Sequence, residues 1–183
     1  MTEWTNGRGA LILVHPGSAF TSWRRQVEEE VFANFVASLE HDLATCTDLV
    51  VIDGMLSDGV PSDIDRLIES RLNAIGQNAG FAARLWGCDA GEQPFPSWSG
   101  RNMAGDAVFG SQQDAARAIA AYLPDNGPVI CTGAWATRDG SSGCVNSVAE
   151  SLATRIDPAR IRISESAAYE EDAFGFDADG LDL

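Results

Sequence analysis

Short apolar segments alternate with amphipathic stretches along this chain. Five segments of strand length are apolar or nearly so: 10–14, 49–52, 81–86, 128–132 and 161–164. Continuous apolar runs of this length are typical of strands that are buried on both faces. Four further segments have the apolar spacing of helices: 23–43, 62–75, 111–123 and 145–152. Strand–helix alternation builds βαβ units with right-handed crossovers. The sequence therefore predicts an α/β fold, a three-layer Rossmann-like domain with a mostly parallel sheet of about five or six strands flanked by helices.

The length of the chain bounds its domain organisation. Its 183 residues are enough for one domain with a full core and few for two. We expect a single α/β domain over residues 1–169 and an acidic C-terminal tail over residues 170–183. The tail has six acids, two phenylalanines and no basic residue. A solvated, frayed end is the simplest interpretation, and a docking or partner-binding segment is the alternative.

The charge of the chain excludes several kinds of partner and mechanism. The formal net charge is −15, and all twelve basic residues are arginines. Nucleic acids and anionic membranes would repel such a surface, so we expect neither as a partner. The absence of lysine also excludes any mechanism that needs a catalytic lysine.

Location and partners follow from the same composition. No apolar run reaches the ~20 residues that a membrane span requires, and the first residues lack the basic and apolar regions of a secretory signal. We therefore expect a cytoplasmic protein whose partner is a small-molecule substrate or a basic protein. A homodimer that uses Trp23, Phe95 or Trp98 is also compatible with the sequence.

The cysteines are Cys46, Cys88, Cys131 and Cys144, and no two of them have Cys-x-x-Cys spacing. Only His15 and His41 could supplement them as ligands, and without paired spacing the sequence does not predict a structural zinc site. We therefore expect free thiols, no metal site and no cofactor.

Polar residues that follow the predicted strands are the first candidates for a functional site, because ligands of open α/β sheets bind beyond the carboxyl ends of the strands. Cys144 opens a predicted helix, where the helix dipole favours a thiolate nucleophile. It is equally compatible with the role of a small core residue. His15 ends the first strand and is a candidate general base or an ordinary turn residue. Asp53 ends the second strand and is a candidate to orient or ionise a neighbour, or simply a polar strand end.

Four other residues are candidates for substrate binding. The amides of Gly143 and Cys144 suit an oxyanion site. Arg101 and Arg138 could each bind a carboxylate or phosphate, or serve as surface charges. Residues 87–110 form a long irregular stretch that we interpret as a lid, with Trp98 closing over the substrate.

Several short motifs in the second half of the chain resemble one enzyme family. The motifs are DAVFGS at 106–111, VICTGA at 129–134, CV at 144–145 and SESAA at 164–168. Together they resemble the isochorismatase-like cysteine hydrolases, over about the last 80 residues. The resemblance implies a hydrolase in which Cys144 attacks the carbonyl or imine carbon of a small amide-like substrate.

Two catalytic positions of that family differ in this chain. The family has an aspartate at the end of the first strand, where this chain has His15, and a lysine in the region where this chain has Arg101. Either a different pair, such as Cys144 with His15, performs the chemistry, or the fold has lost that activity.

Two functions from different classes are therefore carried forward. The first is a small-molecule hydrolase that acts on an amide-like or C–N bond, with Cys144 as nucleophile, His15 as base and Asp53 as orienting group. The second is a non-catalytic acidic module that binds a basic protein, as an inhibitor or immunity protein does.

Overall fold

A parallel sheet lies at the centre of the fold. The computed structural model describes residues 9–53, 59–86, 97–101, 107–108 and 112–174. The strands are β1 (Ala10–Val14), β2 (Asp48–Asp53), β3 (Ala82–Trp86), β4 (Ser97–Arg101), β5 (Ala107–Val108), β6 (Val129–Ala136), β7 (Ile161–Ile163) and β8 (Ala168–Tyr169). The helices are α1 (Pro16–Thr21), α2 (Glu29–Thr45), α3 (Ser62–Gln77), α4 (Gln112–Tyr122), α5 (Cys144–Ala153) and α6 (Glu170–Phe174), with short 3₁₀ turns at Trp23–Arg25 and Pro158–Arg160.

The strand order confirms the predicted Rossmann-like class. The order across the sheet is β5-β4-β3-β2-β1-β6-β7, and β8 pairs with β6 beyond the end of β7. The five strands from β3 to β7 in this order are parallel. At one edge, β4 pairs antiparallel with β3, and β5 pairs antiparallel with β4.

Two apolar clusters lie on opposite faces of the sheet, because side chains alternate along each strand. In β1, Ile12 and Val14 belong to one cluster, which includes residues of α4 and α5. Leu11 and Leu13 belong to the other, which includes residues of α1, α2 and α3. The helices therefore cover both faces, as a three-layer fold requires.

The first strand lies in the middle of the sheet, between β2 and β6. Val14 pairs with Ile52 on one side and with Gly133 on the other. The chain moves outwards from β1 in one direction through β2 and β3, and in the other through β6 and β7. The carboxyl ends of β1 and β6 therefore flank the point where the strand order reverses, which is where doubly wound folds bind ligands.

Gly133 allows β1 and β6 to approach each other at this point. Its φ is +109°, and a Cβ at this position would lie 1.8 Å from the carbonyl oxygen of Val14. The sequence suggested that the strand ends before Gly133 and that a glycine-rich crossing begins there. In the structure β6 continues to Ala136, because this glycine serves a close strand contact and not a turn.

Two other sequence-based predictions need correction. Residues 87–110 were expected to be irregular, but they include β4 and β5, which extend the sheet beyond β3. The predicted helix at 23–43 begins at Glu29, after a separate 3₁₀ turn.

The beginning of the predicted tail is ordered against the domain. Residues 170–174 form α6, which contacts β8.

The longest helix among the described residues is α2, with 17 residues. In those same ranges no helix combines the length and the apolar character that crossing a bilayer demands.

Candidate functional site

His15 lies at the reversal point of the strand order. It directly follows β1 in a left-handed backbone conformation, with φ of 44° and ψ of 54°, and is 7 % exposed. Its N–H donates to the carbonyl oxygen of Ile52 at 2.7 Å, and its carbonyl accepts from the N–H of Ser18 at 3.0 Å. These bonds fix the backbone of His15 between the end of β2 and the start of α1.

Cys144 is the first residue of α5, as the sequence predicted. It is partly exposed, and its side chain packs against the apolar cluster on the α4–α5 face of the sheet. The first-turn N–H groups of a helix have no acceptor within the helix and carry the positive end of its dipole. Cys144 therefore lies next to the first-turn N–H groups of α5, in the segment that follows β6.

Gly143 is required at the start of α5 by its conformation and its neighbours. Its φ is +99°. A Cβ at this position would lie 2.5 Å from the carbonyl oxygen of Trp135 and 3.1 Å from Oδ1 of Asn146. Because of these short distances, a side chain at residue 143 would displace the end of β6 or the start of the helix. The peptide bond before Trp135 is cis.

Asn146 holds the loop that connects β6 to α5. Its Oδ1 accepts from the N–H of Thr137 at 2.9 Å, and its Nδ2 donates to the carbonyl of Thr137 at 3.1 Å. The hydroxyl of Thr137 in turn donates to the carbonyl of Ser142 at 2.9 Å and accepts from its N–H at 3.2 Å. These four bonds join the two ends of the 137–143 loop, so the residue before Cys144 has a defined position. Sequence reasoning missed Asn146, although its place in the first turn of α5, two residues after Cys144, was a usable signal.

The other two described cysteines contrast with Cys144. Cys46 and Cys131 are both fully buried. Burial raises the pKa of Cys46 to about 11, against an opposing effect of Arg71. Burial also raises the pKa of Cys131 to about 12. Both thiols therefore stay protonated at neutral pH, whereas Cys88 lies outside the described residues.

Asp53 belongs to a different cluster, on the opposite face of the sheet. It is fully buried, and its carboxylate accepts two bonds from Arg84, at 2.5 Å from Nε and 3.2 Å from Nη2. Arg84 also donates to Asp65 at 3.0 Å and to Glu69 at 2.5 Å, both in α3. Burial disfavours the charge of Arg84, but its bonds to these acids outweigh that effect and raise its pKa.

The structure therefore brings Asp53 together with Arg84 and not with Cys144. Leu49 and Val51, which precede Asp53 on the same side of β2, pack with α2 and α3. Cys144 packs with the cluster of the other face. In the sequence, Arg84 only interrupts an otherwise apolar segment, and nothing within that segment indicates which acids it meets.

Arg138 bonds to the beginning of the tail. Its Nη2 lies 2.8 and 3.0 Å from the two carboxylate oxygens of Asp172, and its N–H donates to Oε1 of Glu171 at 2.8 Å. Its guanidinium lies over the ring of Tyr169, 4.1 Å from the centroid. The hydrogen bonds that Arg138 donates to Asp172 raise the pKa of the arginine, although partial burial opposes the effect. In this structure the predicted anion-binding arginine already has carboxylate partners.

Trp98 and Arg101 lie on β4, three strands away from β1. Trp98 pairs with Leu85 and Arg101 with Ala82. Since β4 runs antiparallel to β3, Arg101 lies towards the amino end of the parallel strands. With ~4.8 Å between neighbouring strands, it is roughly 14 Å across the sheet from β1. The structure does not bring its backbone to the carboxyl edge with His15 and Cys144; the side chains of Trp98 and Arg101 lie outside the described residues.

Comparison with known proteins finds no matching family model, no matching curated protein and no matching solved structure. Within the described part of the chain, no group of three or more His, Cys, Asp or Glu side chains is arranged to hold a metal ion. The local geometry that surrounds the reversal point is thus the basis for any functional proposal.

Proposed function

We propose that this protein is a hydrolase of small amide-like or C–N bonds, with Cys144 as its nucleophile. The observation that carries the proposal is the position of Cys144, partly exposed at the first turn of α5 and directly after Gly143, which packs against Trp135 near the carboxyl end of β6. The resemblance of residues 106–111, 129–134, 144–145 and 164–168 to isochorismatase-like cysteine hydrolases supports the same chemistry.

The reaction would begin with attack of the Cys144 thiolate on the carbonyl carbon of the substrate. The resulting oxyanion would be stabilised by the N–H groups of Gly143 and Cys144. His15 would take the thiol proton and return it to the leaving nitrogen as the C–N bond breaks. Water would then attack the thioester, its proton passing to His15 and on to Cys144, so that the acid is released and the enzyme is restored.

Asp53 is left out of this mechanism, although the sequence suggested it as the orienting group. Its two carboxylate oxygens are bound by Arg84 on the α3 face. The left-handed backbone of His15 and its bond to Ile52 instead fix the position of the histidine. Arg101 is likewise omitted, because its backbone lies towards the other end of the strands.

Selective alkylation of Cys144 is the first test. The protein carrying Cys88→Ser would be treated with iodoacetamide at neutral pH, and modification of each remaining cysteine followed by peptide mass spectrometry. We expect Cys144 to react at least about tenfold faster than Cys46 and Cys131, because only thiolates react and those two thiols are held protonated. As the pH is raised, the alkylation rate of Cys144 should reach half of its plateau at a pH below ~8.5, the pKa of a free thiol.

The control variants separate chemistry from exposure. Cys144→Ala should abolish turnover of any small amide found in a substrate screen, and His15→Ala should lower it by roughly 10²- to 10⁴-fold. Equal alkylation of all three cysteines would contradict the proposal. An unreactive Cys144 would instead favour the non-catalytic acidic module that binds a basic protein.

A further inference from the structure

The tail helix α6 holds Arg138, the second residue of the 137–143 loop that precedes Cys144. Glu171 accepts a bond from the main chain of Arg138 at 2.8 Å. Asp172 accepts two bonds from the guanidinium of the same arginine, at 2.8 and 3.0 Å. One arginine is thus held through both its backbone and its side chain, by neighbouring residues of one short helix.

Two aromatic contacts reinforce this attachment. The guanidinium of Arg138 stacks over Tyr169, whose hydroxyl donates to the carbonyl of Ser164 at 3.1 Å. The ring of Phe174, at the end of α6, lies 5.9 Å from the ring of Trp135. Trp135 belongs to β6, and its carbonyl oxygen is the atom that a side chain at residue 143 would meet.

The contacts of α6 and of Asn146 act on neighbouring residues at the start of the same loop. Asn146 fixes Thr137 from the side of α5. The tail helix fixes Arg138, the next residue, from the side of β8. The loop that ends at Gly143 is therefore held between one core helix and the beginning of the acidic tail.

We infer that α6 is a strap that fixes the 137–143 loop, and that Arg138 is a positioning residue whose attachment to the strap sets the place of Gly143 and Cys144. The restraint that α6 places on the 137–143 loop does not depend on the proposed function. Only its consequence for the reactivity of Cys144 rests on the proposed function. Arg138 therefore holds the loop through its bonds to α6, in place of the substrate-binding role that the sequence suggested.

The strap depends on ionic strength because of where its charges lie. The side chain of Arg138 is 52 % exposed and that of Asp172 is 28 % exposed. Ion pairs at such sites are screened by salt within about 3 Å at 1 M and about 10 Å at 0.1 M. Loop 137–143 should therefore loosen as salt rises, while the buried bonds of Asn146 stay in place.

Amide hydrogen exchange of the loop tests the strap in the full chain. The variants Arg138→Ala and Asp172→Asn each remove the ion pair, and Glu170→Gln removes one charge from the same helix without removing the Arg138 bonds. We expect the amides of residues 139–142 to exchange about two- to fivefold faster in the first two variants and unchanged in the third. Arg138→Lys should give an intermediate rate, since lysine keeps the charge but not the planar guanidinium that lies over Tyr169.

The reactivity of Cys144 supplies a second readout that a purely structural role would not move. In Arg138→Ala, we expect the pH midpoint of iodoacetamide alkylation to rise towards the free-thiol value of ~8.5, because the first-turn amides are less well fixed around the thiolate. Exposure alone would change the rate and leave the midpoint in place.

Hydrogen exchange and the alkylation midpoint test separate parts of the inference. Loop exchange that is unchanged in Arg138→Ala and Asp172→Asn would overturn the strap. Faster exchange with an unmoved alkylation midpoint would overturn the role of Arg138 in positioning Cys144. If Cys144 is unreactive in the unmodified protein, the proposed function fails, and the exchange measurement still decides whether the strap exists.

Discussion

Two arginines, Arg84 and Arg138, each bind acids close to the carboxyl end of a strand, but in very different surroundings. Arg84 is 19 % exposed and binds the fully buried Asp53 together with Asp65 and Glu69 of α3. Arg138 is 52 % exposed and binds Asp172 of α6. Both side chains bind carboxylates, but Arg84 and its main partner Asp53 are far more buried than Arg138 and Asp172.

The difference in burial separates a structural network from an adjustable one. A charge such as Asp53, taken fully out of water, is costly unless its partner stays in place. Exposed pairs contribute little because water and salt compete for both groups. We therefore expect the α3 face to depend on its arginine for stability, and the α6 contact to tune a loop without deciding whether the domain folds.

The largest expected effect is that of Arg84→Ala. Removing the guanidinium leaves the carboxylate of Asp53 buried without its partner, which should lower the free energy of unfolding by about 3–5 kcal/mol. Urea denaturation would measure the change as a shift in midpoint. Because the pKa of Arg84 is raised in the folded protein, this contribution is fully present below the ordinary pKa of arginine and is lost only as the pH rises through the raised pKa. The loss should thus be the same at about pH 6 and pH 9.

The double variant Asp53→Asn with Arg84→Met is the matched control for that experiment. It removes both charges and keeps side chains of similar length. It should recover a large part of the stability that Arg84→Ala loses, because no charge stays buried alone. If the double variant is as unstable as Arg84→Ala, packing and not charge explains the effect.

An intermediate effect is expected for Asn146→Ala, which tests buried hydrogen bonds that carry no charge. The substitution leaves the N–H and the carbonyl of Thr137 without their partner, and should lower the free energy of unfolding by about 1–3 kcal/mol. Glu150→Gln, on an exposed position of the same helix, provides the reference and should have almost no effect. A loss in Asn146→Ala no larger than in the reference would mean that water replaces both bonds.

The smallest effect on stability is expected for Arg138→Ala. Its exposed pair with Asp172 should contribute less than about 1 kcal/mol to the free energy of unfolding, and about 1 M salt should remove most of that difference. Urea denaturation at low and high salt would measure both quantities. A loss as large as that of Arg84→Ala would erase the distinction between the two arginines.

The parts of the fold that the sequence predicts are those that depend on local apolar patterns. The run at β1 is predicted to the residue, and β2 to within one residue at each end. The end of β6 is missed because Gly133 has the composition of a turn, while its role is to let β1 and β6 approach. The strands β4 and β5 are missed because a short edge strand needs no apolar run.

The candidate site is predicted in its location more than in its pairings. The carboxyl ends of β1 and β2 could be identified from their apolar runs, and they hold His15 and Asp53. The end of β6 was predicted four residues too early, although the loop that leads to Cys144 was expected to follow it. Which side chains meet depends on register and on the face of the sheet. The pairing of Asp53 with Arg84 is set by two neighbouring strands and α3, and no pattern within one segment contains that information.

The central position of β1 affects how the protein can be made. One flank of this strand is filled early by β2, whereas the other is filled by Val129–Ala136, far along the chain. During synthesis, the nascent chain carries an apolar strand with one hydrogen-bonding edge open until β6 has left the ribosome. Open edges of this kind pair readily with other chains. Fragments that end before Val129 will therefore aggregate more readily than chains that include β6, and chaperones should bind them for longer.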